Sequence, residues 1–70
     1  MIGSAEIENR FTYHAPKEGQ AERYVTLRET ARDMAALIDI ECPDSREKSL
    51  AITALEACVM WANASIARRE

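Results

Sequence analysis

The chain has few of the residues that build most catalytic and metal sites. Its 70 residues include two cysteines, two glycines, two prolines and one histidine. Two cysteines are too few for a disulfide scaffold or a zinc site, and there is no glycine-rich phosphate loop. No serine, histidine and acidic residues have the spacing of a catalytic set. We therefore expect no enzyme activity, metal or cofactor, and we interpret Cys42 and Cys58 as reduced thiols, with a bridge or a reactive thiol as the alternative.

Positive charge is also scarce. The net charge is -3, which argues against a general nucleic-acid binder, since such proteins are normally basic. It leaves room for a small anion held by a few local arginines. The first ten residues carry charges and no apolar core, so we expect no signal peptide and a cytoplasmic protein. We also expect no membrane partner, because Glu56 and Asn63 make insertion of the longest apolar stretch unfavourable.

That apolar stretch, residues 50–67, is the most informative part of the chain. It contains a single charge, Glu56, and neither glycine nor proline, which favours a helix. A helix would present two apolar sides: Ile52, Leu55, Val59, Ala62 and Ile66 on one, and Leu50, Ala54, Ala57, Trp61 and Ala64 roughly opposite. Both sides need cover, and a chain this short cannot supply it alone. We therefore expect an oligomer with Trp61 largely buried.

The remaining pattern predicts a single all-α domain over residues 1–70, with an arm at 1–19 and helices at 20–41 and 45–69. Apolar residues recur at helical spacing from Leu27 to Ile38. Cys42-Pro43 ends that helix, and Asp44 or Ser45 caps the next. The short connection predicts an antiparallel hairpin.

The arm is expected to hold a short helix that Ser4 caps and that docks through Ile2 and Ile7. Pro16 then breaks the helical pattern. The segment around Pro16 contains Phe11, Tyr13, His14 and Lys17. One interpretation is that the two aromatic residues staple the arm to the hairpin. The other is a ligand-facing loop, because aromatic and basic side chains together can stack on a base and pair with phosphate.

The arginines of the two long helices also allow two interpretations. Arg28 and Arg32 lie on the shoulder of the apolar face, as a solvated flank or as part of an anion site. Arg68 and Arg69 end the last helix, where cations complement the helix dipole or could form a second anion cluster.

Three stretches carry a family resemblance. They are ENRFTYHAPKEGQ at 8–20, CPDSREKSLAITALE at 42–56 and VMWANASIAR at 59–68. Together they resemble the phage anti-CBASS cyclic-nucleotide sponges, the anti-CBASS protein 2 family. The resemblance implies a short N-terminal helix plus a long helical hairpin, with interlocked dimers assembled into a hexamer. It also implies sequestration of cyclic dinucleotides such as cGAMP, with cyclic trinucleotides at separate sites, and no cleavage.

The resemblance also suggests roles for individual residues. Tyr13 is the best match for the aromatic residue that stacks on the bases, with Phe11 second. Arg28 or Lys17 matches the residue that pairs with phosphate, and Arg68 or Arg69 matches the basic residue of the trinucleotide site. It places the protein in the cytoplasm of a bacterial host, during infection or from a prophage. Two other functions remain open: a helical protein-binding module with no nucleotide ligand, and a nuclease or phosphodiesterase acting on the same signals, for which the chain offers no matching catalytic set.

Overall fold

The computed structural model describes all 70 residues and contains three helices and no strand. Helix α1 spans Ser4–Arg10, α2 spans Gln20–Glu41 and α3 spans Arg46–Arg69. Helices α2 and α3 pack against each other as an antiparallel hairpin, with the N-terminus of α2 beside the C-terminus of α3. The all-helical fold with a hairpin is confirmed.

The ends of the helices are set by local chemistry. The Ser45 hydroxyl accepts a hydrogen bond from the Lys48 amide at 3.1 Å, so Ser45 is the N-cap of α3. Gly19 precedes α2 with φ at 82°, in the left-handed region that favours glycine. The predicted capping role of Ser4 is wrong: Gly3 occupies the N-cap position, no side chain caps α1, and Ser4 is the first helical residue.

Lys48 closes the other end of the hairpin. Its ammonium group lies 2.9 Å from a carboxylate oxygen of Asp39 on α2 and 2.9 Å from one of Asp44 in the connection. Hydrogen bonds to Asp39 and then to Asp44 raise the pKa of Lys48 above its ordinary value. These contacts tie the last turn of α2 to the first turn of α3.

The hairpin is one layer thick. The whole chain, arm included, is flat, with principal-axis extents of 45 × 33 × 13 Å. Only Ile66 and Gln20 are buried among the 70 residues. The predicted inner side of α3 is confirmed, because it is half-buried or buried throughout: Ile52, Leu55, Val59, Ala62 and Ile66. The half-buried positions on α2 are Tyr24, Leu27, Ala31, Ala35 and Ile38.

The outer sides of both helices lie uncovered. Trp61 is 68% exposed and Ile40 is 78% exposed, so the single chain does not bury the tryptophan. By length and hydropathy alone, α3 could cross a membrane. None of the residues in its most apolar 18-residue stretch is fully buried within the chain. Core helices of soluble assemblies have the same length and composition. The exposed side of α3 therefore needs a cover that one chain does not provide.

Candidate ligand-binding site

The arm is held on the hairpin by polar contacts. The Glu6 carboxylate receives two hydrogen bonds from the Arg69 guanidinium, one of them at 3.0 Å, and a third from Arg10 Nε at 3.1 Å. These donors, Arg69 first and Arg10 second, lower the pKa of Glu6 from 4.5 to about 2. Asn9 Nδ2 donates to the main-chain oxygen of Arg68 at 3.2 Å. Helix α1 therefore docks on the last turn of α3.

The loop after α1 presents its aromatic side chains to solvent. Phe11 is 86% exposed and Tyr13 is 84% exposed, so neither residue staples the arm to the hairpin of the single chain. His14 is half-buried, and its Nε2–H donates to the main-chain oxygen of Asn9 at 2.7 Å. His14 thus fixes the loop against α1.

A depression with a volume of about 570 Å³ lies between the arm and both long helices, and we call it the main depression. The arm supplies Tyr13 and His14, α2 supplies Tyr24 and Arg28, and α3 supplies Arg68. Neither Arg28 nor Arg68 forms an ion pair with any residue of the chain. Two phenol rings and two guanidinium groups without carboxylate partners make a surface that can stack on flat rings and bind an anion.

A second depression of about 500 Å³ adjoins the first and shares Arg10, Ala64 and Arg68 with it. It is lined by Arg10, Phe11, Trp61, Ser65, Arg68 and Arg69. Arg69 is already engaged by Glu6 here, whereas the Arg68 guanidinium has no carboxylate partner. Arg68 borders both depressions. The sequence assigns Arg28 and Arg68 to separate sites, yet in the single chain both line the main depression.

Lys17 lies apart from both depressions. Its ammonium group donates to the main-chain oxygen of Glu70, and the Glu70 carboxylate forms a bidentate pair with Arg23 at 2.8 and 2.9 Å. Hydrogen bonds from Arg23 and then from Gln20 lower the pKa of Glu70 below its ordinary value. The structure thus places Lys17 in a polar cluster with Glu70, away from Arg28.

Gln20 links that cluster to the hairpin core. Its side chain is buried, accepts from the Lys17 amide at 2.9 Å, and donates to the main-chain oxygen of Ile66 and to Glu70. Because buried polar groups need partners, these bonds fix where the arm joins α2.

The apolar groove between α2 and α3 continues from the main depression. It has a volume of about 480 Å³ and shares Arg28 and Met60 with that depression. Arg32 and Glu56 lie on its rim, and its floor consists of Ala31, Ala35, Ile52, Leu55 and Val59. Arg32 therefore lies beside the apolar groove and outside the main depression.

The sequence analysis did not name four residues of these surfaces as candidates for ligand binding. Arg10, Tyr24, Trp61 and Asn63 line one depression or the other. Asn63 Oδ1 is buried without a hydrogen-bond partner, which carries a desolvation cost in the single chain. The position of Tyr24 beside Arg28 could have been found from their i, i+4 spacing. Arg10 could not, because its place depends on where the arm docks.

Comparison with protein families gives one match. A family model described as Acb2/Tad1, hairpin domain, matches residues 4–67. The match covers α1, α2 and α3 as far as Ala67, and it stops just before Arg68 and Arg69. No curated protein and no solved structure matches the chain.

Proposed function

Because the chain belongs to the Acb2/Tad1 hairpin-domain family, we propose that it sequesters cyclic oligonucleotide immune signals without cleaving them and so blocks CBASS antiphage signalling. Membership in the family implies a cyclic-nucleotide sponge role. The proposed ligands are cyclic dinucleotides such as cGAMP, with cyclic trinucleotides as a second ligand class. The proposed place of action is the cytoplasm of a bacterial host, during infection or from a prophage.

The strongest structural support for this proposal is the set of side chains that line the main depression. A cyclic dinucleotide has two flat bases and two phosphates, and this surface offers Tyr13 and Tyr24 for stacking and Arg28 and Arg68 for charge. Its volume of about 570 Å³ lies within the roughly 300–1,000 Å³ of small-molecule sites. Stacking contributes ~1–3 kcal/mol per base, and charge-assisted hydrogen bonds add to it. Binding can therefore be tight without chemistry.

Each residue has a proposed role. Tyr13 stacks on a base, because its ring is exposed and tethered to the arm through its neighbour His14. Arg28 pairs with a phosphate, because its guanidinium has no carboxylate partner. Lys17 is the weaker candidate, since it is engaged by Glu70.

The second depression is the proposed trinucleotide site. Arg68, which also borders the main depression, supplies a guanidinium without a carboxylate partner and Phe11 an exposed ring, while Arg69 is shared with Glu6. This assignment rests on the resemblance for the ligand class and on the two clustered arginines for the place.

Assembly is the second part of the proposal. We expect interlocked dimers that build a hexamer, supported by the uncovered apolar side chains on both long helices: Leu37, Ile40, Leu50, Met60 and Trp61. The main depression is open to solvent in one chain. A neighbouring protomer would exclude water from it and so strengthen its electrostatic contacts.

A helical protein-binding module is the second candidate, favoured by the same uncovered side of α3, which could receive a partner helix. Isothermal calorimetry with a panel of cyclic dinucleotides and trinucleotides separates the two. The sponge proposal predicts heat with at least one cyclic nucleotide, saturating at a fixed ratio to protein. No heat with any of them, from folded oligomeric protein, would favour the protein-binding module.

A further inference from the structure

Helix α1 docks with its polar side inward, the reverse of an ordinary amphipathic helix. Its only half-buried residues are Glu6 and Asn9, at i and i+3 on one face. Ile2 and Ile7, which were expected to dock, are 50% and 48% exposed. Hydrophobic burial within the chain therefore contributes little to holding the arm, and its place depends on a few polar contacts.

Glu6 is the centre of those contacts. Its carboxylate joins Arg69 of α3 to Arg10 of α1, with N–O distances of 3.0 and 3.1 Å. Only Asn9, through the Arg68 main-chain oxygen, makes another side-chain hydrogen bond between α1 and the hairpin. Bidentate arginine–carboxylate pairs fix orientation as well as distance. Glu6 therefore sets both the position and the angle of α1.

The position of α1 in turn determines where the ligand-facing loop lies. His14 donates to the main-chain oxygen of Asn9 at 2.7 Å, so the loop moves with the end of α1. Tyr13, beside His14, lines the main depression with α1 in this docked position. We propose that Glu6 is a positioning residue of the ligand site, holding Tyr13 and His14 over the main depression through its pair with Arg69. The docking of α1 stands alone, whereas the effect on ligand rests on the proposed function.

The direction in which Glu6→Gln changes ligand affinity separates a positioning role from that of a carboxylate that merely lies near the ligand. A carboxylate near an anionic ligand opposes binding by charge repulsion, so neutralising a bystander should strengthen binding. If Glu6 positions the arm, Glu6→Gln weakens binding of a cyclic dinucleotide despite removing a negative charge. If the Glu6 carboxylate instead competes with phosphate for Arg69, the same substitution strengthens binding.

Glu8→Gln is the matched control. Glu8 lies on the same helix and carries the same charge, but its side chain contacts only Thr12 of the arm, at 3.4 Å. Calorimetry with cGAMP on the full chain should show roughly twofold to fivefold weaker binding for Glu6→Gln, and equal or tighter binding for Glu8→Gln. In a Tyr13→Ala background Glu6→Gln should change affinity little, because the ring that Glu6 positions is already gone. Partial rescue of Glu6→Lys by Arg69→Glu would also support the pairing.

Hydrogen–deuterium exchange of the α1 amides provides a readout without ligand. Faster exchange in Glu6→Gln and unchanged exchange in Glu8→Gln supports the docking role. Equal exchange in both variants, or tighter cGAMP binding by Glu6→Gln, overturns the inference. If wild-type protein binds no cyclic nucleotide, the proposed function fails, and the exchange comparison alone decides whether Glu6 holds the arm.

Discussion

Arg28 and Arg32 form a natural pair for testing the proposed phosphate contact. The two residues lie one turn apart on α2, each carries one positive charge, and neither has an ion-pair partner within the chain. They differ in place: Arg28 lines the main depression, whereas Arg32 lies beside the apolar groove. Replacing either with alanine removes the same charge from the same helix, so the difference between them reports position.

The expected magnitude follows from the missing partners. Because Arg28 is not engaged within the chain, Arg28→Ala breaks no ion pair and should leave the helix content of the protein unchanged. A hydrogen bond to a charged group contributes about 1.5–3 kcal/mol, so cyclic-dinucleotide affinity should fall roughly tenfold to 150-fold. Arg32→Ala loses only long-range attraction, which salt screens over ~8–10 Å, and should change affinity by less than about threefold.

Calorimetry of both variants with cGAMP, at low and at physiological salt, measures the contrast. The circular dichroism spectrum and the oligomeric state serve as controls for folding. Equal losses for Arg28→Ala and Arg32→Ala would show that net charge alone governs binding. A larger loss for Arg32→Ala would move the phosphate site to the apolar groove, and the assignment of Arg28 would be wrong.

Further predictions concern the arm, its junction with α2 and the cysteines. Tyr13→Ala should weaken cyclic-dinucleotide binding, by the ~1–3 kcal/mol of one base stack, with an unchanged circular dichroism spectrum, because the ring is 84% exposed; normal binding would leave Tyr13 without a role. Gln20→Ala should lower stability by about 1–3 kcal/mol in denaturant titration, because it removes the buried partner of the Lys17 amide; an unchanged midpoint would contradict this. Docking lowers the pKa of Glu6 to about 2, so its stabilisation of the arm is fully present above pH 4.5 and is lost as pH falls through 2; α1 chemical shifts that do not change between pH 5 and pH 2 would refute it. The double variant Cys42→Ser, Cys58→Ser should keep its fold and its binding, since both thiols are free and exposed; loss of binding with the fold intact would assign them a function.

The hairpin could be predicted from the sequence because its information is local. Helical periodicity placed Ile52, Leu55 and Val59 on the inner side of α3, and the structure has them there. Ser45 caps the first turn of α3, as one of the two predicted caps. Because the connection between α2 and α3 is short, the two helices must pack antiparallel. Each of these features depends on residues within a few turns of one another.

The arm could not be predicted to the same degree. Its docking joins Glu6 to Arg69 and Asn9 to Arg68 across almost the whole chain, and no spacing rule connects residues so far apart. Hydrophobicity pointed to Ile7 as the docking residue, but a surface that ends in arginines selects the carboxylate face of α1 instead. The positions of Tyr13 and His14 over the main depression follow from that docking, so the site was only partly visible in the sequence.

The sequence also does not identify the surface that would bury Trp61. Because α3 has two apolar sides, we expect another protein surface to cover its outer side. Helical periodicity does not give the number of chains in that assembly. Trp61 at 68% exposure marks the side where that surface belongs. Its burial in an assembly, and the hexamer itself, stay predictions that sedimentation of the purified protein would test.

On the proposed function, the protein holds a cyclic nucleotide and releases it unchanged. The most direct measurement mixes purified protein with cGAMP, removes free nucleotide by gel filtration, denatures the protein with heat and identifies what is released by chromatography. We predict that cGAMP co-elutes with the protein and is recovered intact at a fixed ratio to protein. Recovery of linear or hydrolysed product would show an enzyme, and co-elution of no nucleotide from this or a wider panel of cyclic nucleotides would contradict sequestration altogether.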